Sequence, residues 1–223
     1  MKSPRQLADL PFAAELRPAD GPLELEGDYD RAWFDGSAFS DALAGGSRFA
    51  DCGFTGATFD GGRMRRARLS QVWFGETRFV AFDLAESSLT DVWLSGCVLA
   101  GVQAFALTTR RVTFRDCKLD SVNFRDCSFT DVRFEDCVLR DVDFGGAKLT
   151  RVRFPGCTLT GADFTKVTCT DVDLRGARLG ASTGEAGIRA GYDSLRGARI
   201  DTLQLVTLAP LLAHHLGITV EDA

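Results

Sequence analysis

Residues 112–144 read VTFRDCKLDSVNFRDCSFTDVRFEDCVLRDVDF, in which every fifth residue, counted from Phe114, is Phe or Leu. Val or Cys stands two places before each of these large residues. A period of five matches neither an amphipathic helix, which repeats about every 3.6 residues, nor a flat strand, whose side chains simply alternate. The stretch therefore predicts a backbone that turns in the same way after every five residues.

The same pattern extends far beyond this stretch. Counting in fives from Phe34 to Leu179 gives 30 large positions, of which 26 are Leu, Phe or Met. The exceptions are Ala44, Ala104, Thr109 and Cys169. A repeat of this length is stronger evidence for the fold than the secondary-structure propensity of any single segment. In GVQAFALTTRR, residues 101–111, the large positions are occupied by the small residues Ala104 and Thr109. We expect a bulge or a tolerated packing fault there, with Phe105 and Leu107 turning inward to replace the missing large side chains.

A second period of 20 residues is superimposed on the first. It relates cysteines to one another, and it relates acidic residues to basic ones of alternating sign. These sets are Cys97, Cys117, Cys137 and Cys157, and Asp91, Arg111, Asp131, Arg151 and Asp171. Because 20 is four fives, the simplest shape is a coil with four sides that stacks on the coil below. The charged set then forms a ladder of ion pairs between successive coils.

The repeat resembles the pentapeptide-repeat family over about Tyr29 to Ile200. Units such as ADFTK (Ala162–Lys166) and VDLRG (Val172–Gly176) fit the loose pattern of that family. The resemblance implies an all-β fold, a right-handed quadrilateral β-helix of about seven to eight coils with a short C-terminal α-helical cap. We expect residues 1–30 to be an N-terminal cap, 31–180 the β-helix, 181–200 a distorted final coil and loop, and 201–223 a C-terminal helical cap and dimerisation segment.

The segment DTLQLVTLAPLLAHHLG, residues 201–217, predicts the helical cap. Asp201 and Gln204 have the spacing of a capping box, and Gly217 suits the stop. Pro210 suits a break or the first turn of a second helix. The apolar surface is wider than a helix needs to cover one coil, which favours a homodimer over a monomer with both short helices folded back. The candidate dimer residues are Leu203, Leu205, Val206, Leu208, Leu211, Leu212 and Leu216.

The composition gives no sign of an enzyme. Six of the seven cysteines hold the small inward position and behave as small hydrophobes. His214 and His215 are adjacent on the predicted helix and point in different directions, and the chain has no CxxC or phosphate-binding loop. We therefore expect no catalytic residue, metal or cofactor. No secretory signal or long apolar block is present, so we expect a cytoplasmic protein that does not contact a membrane.

The fluoroquinolone-resistance branch of the family resembles double-stranded DNA in width and charge and binds type II topoisomerases such as DNA gyrase. The resemblance implies the same partner here. The net charge is −5, but residues 31–180 contain 19 acidic and 20 basic side chains. A DNA-like face therefore depends on how the charges are distributed. The candidate face consists of Asp83, Glu86, Asp126, Asp143 and Asp163.

Two other binding hypotheses remain open. Trp73 and Trp93 occupy outward positions on adjacent coils and are candidates for an aromatic anchor of a protein-interaction scaffold. In the alternative arrangement, the N-terminal segment covers them. The basic run RMRRAR (Arg63–Arg68) is a weak signal, since one cluster provides little counterion release. We expect no direct contact with nucleic acid.

Overall fold

The computed structural model describes residues 4–179 and 186–221. Their strands and the one α-helix follow in chain order. They are β1 (Arg17–Pro18), β2 (Asp28–Asp30), β3 (Ala32–Asp35), β4 (Ala38–Ser40), β5 (Arg48–Ala50), β6 (Gly53–Thr55), β7 (Thr58–Asp60), β8 (Arg68–Gly75), β9 (Arg78–Val80), β10 (Ser88–Ser95), β11 (Val98–Ala100), β12 (Thr108–Arg115), β13 (Lys118–Asp120), β14 (Ser128–Glu135), β15 (Val138–Arg140), β16 (Lys148–Thr150), β17 (Thr158–Thr160), β18 (Ala162–Asp163), β19 (Thr168–Thr170), β20 (Arg178–Leu179), β21 (Ile188–Ala190) and α1 (Thr202–His215).

The strands build a right-handed, four-sided coil of about eight turns. Side 1 contains β3, β6 and the second halves of β8, β10, β12 and β14. Side 2 is the eight-stranded parallel sheet from β4 to β20. Side 3 is a column of isolated parallel bridges from Leu43 to Asp163. Side 4 contains β2, β5, the first halves of the four long strands, β16 and β19.

The five-residue repeat produces this coil through its corners. The residue two places after each large position from Phe34 to Leu174 adopts a left-handed backbone, as at Asp91 (φ 55°) and Arg111 (φ 54°). Glycine, aspartate and asparagine reach this conformation at the least cost, and glycine or aspartate occupies most of the corners. Each corner redirects the chain by one side, so the large and small positions of all four sides point toward the axis.

The core is a stack of side chains in register. Phe134 lies between Phe114 and Phe154, with ring centroids 4.7 and 5.0 Å apart and planes within 8° and 3° of parallel. All three rings are buried. Since each coil repeats the one below, identical residues meet face to face along the axis. The predicted inward direction of the large and small positions is confirmed.

The coil stays regular where the large positions are too small. Parallel bridges run without a shift from Asp83 to Gln103 and on to Asn123, so the expected bulge in residues 101–111 is wrong. Leu107 is buried in the small position beside Thr109 and supplies the missing volume. Phe105 does not; it is half-buried beneath the Arg65 guanidinium. The total volume of the inward side chains must stay about the same in every coil. A large residue at the small position can therefore compensate for a small residue at the large position.

The N-terminal region combines a partial coil with a surface strap. Arg17 and Pro18 pair with side 1, and Tyr29 pairs with Phe49 and stacks on its ring at 4.8 Å. Coil pairing therefore already occurs before residue 31, because Tyr29 continues the large positions one step back. Residues 4–16 carry two short 3-10 helices, Leu7–Asp9 and Ala13–Glu15, and lie across side 1.

The helix α1 closes the other end of the core. Asp201 Oδ1 accepts a hydrogen bond from Gln204 N, and Gln204 Oε1 accepts one from Asp201 N, both at 2.9 Å, so the capping box is confirmed. Gln204 Nε2 donates to the carbonyls of Leu174 (2.5 Å) and Ala177 (2.7 Å) in the final coil. These bonds attach the helix to the coil; the Leu174 carbonyl also accepts a hydrogen bond from Ala177 N at 3.0 Å.

The helix is continuous through Pro210, so the predicted break is wrong. Proline cannot donate to the carbonyl one turn earlier, but that carbonyl belongs to Val206, an exposed residue. The helix ends at His215, and Gly217 (φ 70°) follows its C-cap, with Ile218 N donating to Ala213 O at 2.8 Å. None of the described helices combines the length and apolarity required to span a membrane.

The segment 181–200, predicted to be a distorted final coil and loop, lies partly outside the described residues. Its described part contains β21, which pairs with β18 through a register shift.

Ion pairs connect successive coils at the corner between sides 4 and 1, as predicted. Arg111 binds Asp91 with two contacts of 2.5 Å, and Arg151 binds Asp131 at 2.5 and 2.8 Å.

In the last coil, Asp173 accepts hydrogen bonds from the Arg175 guanidinium (2.9 and 2.7 Å) and from the Arg175 backbone N (3.1 Å). The Arg175 side-chain hydrogen bonds lower the pKa of Asp173 from its ordinary 3.8 to about 2.

Phe134→Ala tests the stacked core. Removing a fully buried ring that touches two others creates a cavity, so we expect the free energy of unfolding to fall by about 3–5 kcal/mol. Guanidinium denaturation followed by circular dichroism measures it. Val138→Ala is the control on an exposed residue (43% accessible) and should stay within about 0.5 kcal/mol of the parent. Equal losses in both variants would contradict the stacked core.

The lowered pKa of Asp173 makes part of the stability depend on pH. Because the folded-state pKa is below the unfolded value of 3.8, the contribution is complete above about pH 4 and is lost as the pH falls toward 2. We expect Asp173→Asn to flatten the decline in unfolding free energy between pH 4 and 2, measured by denaturant titration at each pH. Asp126→Asn, at an exposed corner, should retain the parent slope; identical slopes in both variants would refute the linkage.

Candidate interaction surfaces

Three of the predicted acidic residues are held as turn-capping groups on side 3. Asp83, Asp143 and Asp163 belong to one bridged column. Each carboxylate accepts a hydrogen bond from the backbone N two residues later, at Ala85 (2.9 Å), Gly145 (2.7 Å) and Thr165 (2.8 Å). This side chain to backbone bond is typical of aspartate in turns. These residues are therefore part of the scaffold as well as of the surface.

Arginines also neutralise most of this candidate face. Arg125 Nη1 is 3.0 Å from Asp143, and Arg189 Nη2 is 3.3 Å from Asp163. Arg65 lies 3.8 Å from Asp83 and forms an ion pair with Glu86. The structure thus brings the predicted acidic residues to one side and one corner, but it pairs four of the five with cations.

The pKa of Asp163 reflects this bonding. Partial burial of the carboxylate raises its pKa, but hydrogen bonds from Thr165 and Arg189 outweigh burial, so the net pKa is lowered. The carboxylate therefore stays ionised while its charge is compensated locally. Asp126, at the neighbouring corner, forms no ion pair with a described residue.

A different set of carboxylates is free of such pairing. Glu76, Asp116 and Asp136 lie in one corner column between sides 1 and 2, and we name them the acidic corner. All three are exposed. Every other residue of that column from 36 to 176 is glycine, so the column contains no cation. Sorting outward residues by position within the 20-residue period would have identified them from sequence.

The predicted exposed aromatic patch is wrong. Trp73 is 4% accessible and Trp93 is half-buried. Leu10 and Phe12 of the N-terminal strap pack with them, and Arg115 Nη1 donates to Pro4 O at 2.7 Å. The strap covers these rings because apolar surface on both partners is removed from water.

A glycine of side 1 is adapted to the strap. A Cβ added at Gly53 would meet Leu16 at 3.3 Å and Leu7 at 3.4 Å. The outward position directly below Trp73 therefore accommodates the strap because it has no side chain. Trp73 and Trp93 serve packing within the chain, and the scaffold hypothesis based on their exposure loses its support.

The candidate dimer residues divide into two groups. Leu208 is buried, and Leu211 and Leu212 are partly buried against the core. These three attach α1 to the coil, so their assignment as dimer-interface residues is wrong. The exposed members are Leu203 (76%), Leu205 (50%), Val206 (66%) and Leu216 (69%). Ile218 and Val220 extend the apolar surface beyond the helix.

The cysteines are packing residues. The six at small positions are buried free thiols, and Cys169 is partly buried. Cys97 and Cys157 donate to the carbonyls of Phe74 (3.3 Å) and Phe134 (3.2 Å). Burial raises the pKa of Cys52 to about 11 and that of Cys127 to about 12, so neither is a ready thiolate nucleophile. Within residues 4–179 and 186–221, no three His, Cys, Asp or Glu side chains converge as a metal site would require.

A cleft of about 950 Å³ lies between α1 and the last coils. Arg140, Tyr192 and His214 contribute to its walls, and the Tyr192 hydroxyl donates to Ile188 O. The described residues that line it form no pair of a nucleophile and a base. We assign no chemistry to it.

Comparison with known proteins agrees with the architecture. A family model described as a pentapeptide repeat region matches residues 47–123 and 107–183. A trypsin-treated form of QnrB1, a plasmid-mediated fluoroquinolone resistance protein, is 19% identical with a TM-score of 0.47, covering 92% of this chain and 96% of that one.

A second similar structure is HetL, a pentapeptide repeat protein involved in heterocyst differentiation regulation from the cyanobacterium Nostoc sp. strain PCC 7120. It is 16% identical with a TM-score of 0.38, covering 81% of this chain and 92% of that one. No curated protein matches the chain. Since the family model spans more than half of the residues, in the coils whose corners and core are described above, the chain belongs to the pentapeptide-repeat family.

Proposed function

We propose that this protein is a non-enzymatic, dimeric binding rod that engages a type II topoisomerase, DNA gyrase or a relative, in place of DNA. The observation that carries the proposal is the acidic corner. Its three carboxylates project in one line along the rod axis, and no described arginine or lysine is paired with them. Negative charge on a rigid elongated surface is what attracts a positively charged DNA-binding groove.

The acidic corner replaces the sequence-derived face as the contact surface. Coils rise by about 4.8 Å, so Asp116 and Asp136 are about 5 Å apart along the axis, and Glu76 lies about 10 Å below Asp116. Asp60 on side 2 is also exposed and extends this charge, whereas Asp120 lies in register beside the exposed Arg140. Duplex DNA carries about one charge per 1.7 Å of axis. The acidic corner has fewer charges per unit length than DNA. The protein therefore competes with DNA through long-range attraction and shape, without matching individual phosphates.

The dimer part of the proposal rests on the apolar surface of α1. Four large side chains of the helix remain at least half exposed after it packs on the coil. A second copy related by twofold symmetry would cover the same residues on both helices. The dimer would also double the length of the rod and place two acidic corners in one particle.

Gyrase supercoiling of relaxed plasmid tests the partner. We expect the pure protein to inhibit it at about 1 µM, an affinity of about 8 kcal/mol. Asp116→Lys with Asp136→Lys should raise the inhibitory concentration about tenfold, since these charges direct the encounter. Lys166 already occupies an equivalent corner at φ 58°, so the substitution fits the backbone. A parallel titration with a fluoroquinolone separates inhibition from protection.

The control for that pair is Asp20→Lys with Glu24→Lys, which changes the net charge equally at exposed N-terminal positions. It should inhibit like the parent. Absence of any effect of the parent protein on supercoiling would disprove the topoisomerase proposal, and equal weakening by both pairs would remove the acidic corner from it.

Light scattering after size exclusion tests the dimer. We expect the parent to have about twice the chain mass of 24.2 kDa, and Leu203→Glu with Val206→Glu to convert it to a monomer, since charges would be buried in an apolar interface. Leu25→Glu with Leu43→Glu, exposed leucines near the other end of the rod (70% and 52%), is the control and should remain dimeric. A monomeric parent would disprove this part.

A further inference from the structure

Side 4 presents a flat surface of unusual composition. Two outward columns cross it in continuous parallel register over seven coils. Neither column contains a carboxylate in these seven coils, and nine of the last twelve positions are serine or threonine. Asp28 and Asp30 of β2 continue the two columns at the N-terminal end. The columns are Arg48, Arg68, Ser88, Thr108, Ser128, Lys148 and Thr168, and Ala50, Ser70, Thr90, Arg110, Thr130, Thr150 and Thr170.

Three cations stand among these hydroxyls. Arg68, Arg110 and Lys148 are exposed, and none forms an ion pair with a carboxylate in the described ranges. Each is two coils from the next, which is about 10 Å along the axis, and they alternate between the two columns. Arg48 continues the row at the N-terminal end, where Asp28 lies 3.8 Å away.

The corners that flank side 4 do not cancel this charge. On one corner, Arg111 and Arg151 bind Asp91 and Asp131. On the other corner, Glu86 and Asp126 share their column with Arg66 and Lys166, and Arg65 forms an ion pair with Glu86. The carboxylates of the acidic corner lie across the core from side 4. Side 2 also carries exposed cations, Arg78, Lys118 and Arg178, but it contains carboxylates, which side 4 lacks over these seven coils.

The chemistry of side 4 selects among anionic partners. Its outward columns contain no aromatic and no large aliphatic residue. A protein interface takes most of its energy from such anchors, and single-stranded nucleic acid needs aromatic platforms for its bases. The phosphate backbone of a duplex needs neither, because arginine, lysine, serine and threonine side chains supply its contacts.

We propose that side 4 binds the phosphate backbone of double-stranded DNA without sequence preference. Arg68, Arg110 and Lys148 neutralise phosphates, and the intervening hydroxyls donate hydrogen bonds to phosphate oxygens. Seven coils span about 29 Å, the axial length of about eight or nine base pairs. This departs from the sequence-based expectation of no nucleic-acid contact, which considered only Arg63–Arg68. It is independent of the topoisomerase proposal, since it uses the opposite side.

Fluorescence anisotropy with a fluorescein-labelled duplex of about 20 base pairs tests the proposal at salt concentrations between about 50 and 200 mM. We expect binding whose logarithmic salt dependence has a slope of about −3, one unit for each cation. Arg68→Glu with Arg110→Glu and Lys148→Glu should weaken it at least about tenfold and abolish the slope.

The matched control reverses three exposed cations of side 2, Arg78→Glu with Lys118→Glu and Arg178→Glu, and so changes the net charge equally. It should bind the duplex within about threefold of the parent, because these charges do not face the phosphates. Thermal melting by circular dichroism must show that both triple variants fold.

Four results would overturn the proposal. They are no binding of the duplex at the lowest salt, equal losses in the two triple variants, tighter binding of a single strand of the same length, and binding of poly-L-glutamate in preference to the duplex. The last result would assign side 4 to an acidic protein.

Discussion

The stacking of one large and one small side chain per side, coil upon coil, is the interaction on which the rest of the structure depends. Phe114, Phe134 and Phe154 repeat face to face because the chain returns to the same place after 20 residues. Any change in that register would move aromatic rings into contact with the wrong neighbours. The core therefore holds the corners in a left-handed conformation that residues such as Arg111 would otherwise disfavour.

The same register organises the outer surface. Residues 20 apart are neighbours at about 4.8 Å, so each column is an electrostatic unit. A column that alternates Asp and Arg, as at Asp91 and Arg111, is internally neutral. A column of Asp, Glu and Gly, as at Asp116 and Asp136, keeps its charge. Net charge over the whole rod conceals this difference, and the two binding surfaces proposed here arise from it.

The ends of the rod need different solutions. At the C-terminal end, Gln204 donates to the carbonyls of Leu174 and Ala177, and Leu208 is buried in the core. At the N-terminal end, β1 and β2 continue the pairing and the strap of residues 4–16 covers Trp73. Both ends of the rod are thus capped by side chains from segments outside the regular coils. Terminal repeats of solenoid proteins commonly have such atypical caps.

Sequence alone was sufficient for the four-sided coil, the inward residues, the corner ion pairs and the capping box, because each depends on a period or on spacing within a few residues. Tertiary structure decided which carboxylates of the predicted face are paired with arginines and which aromatic and apolar side chains stay exposed. Arg189 reaches Asp163, Arg115 reaches Pro4, and Leu211 turns toward the core. These contacts join segments outside the repeat to the repeat, so no period encodes them. The geometry of these contacts depends on where the N-terminal strap and the C-terminal segments pack against the coil.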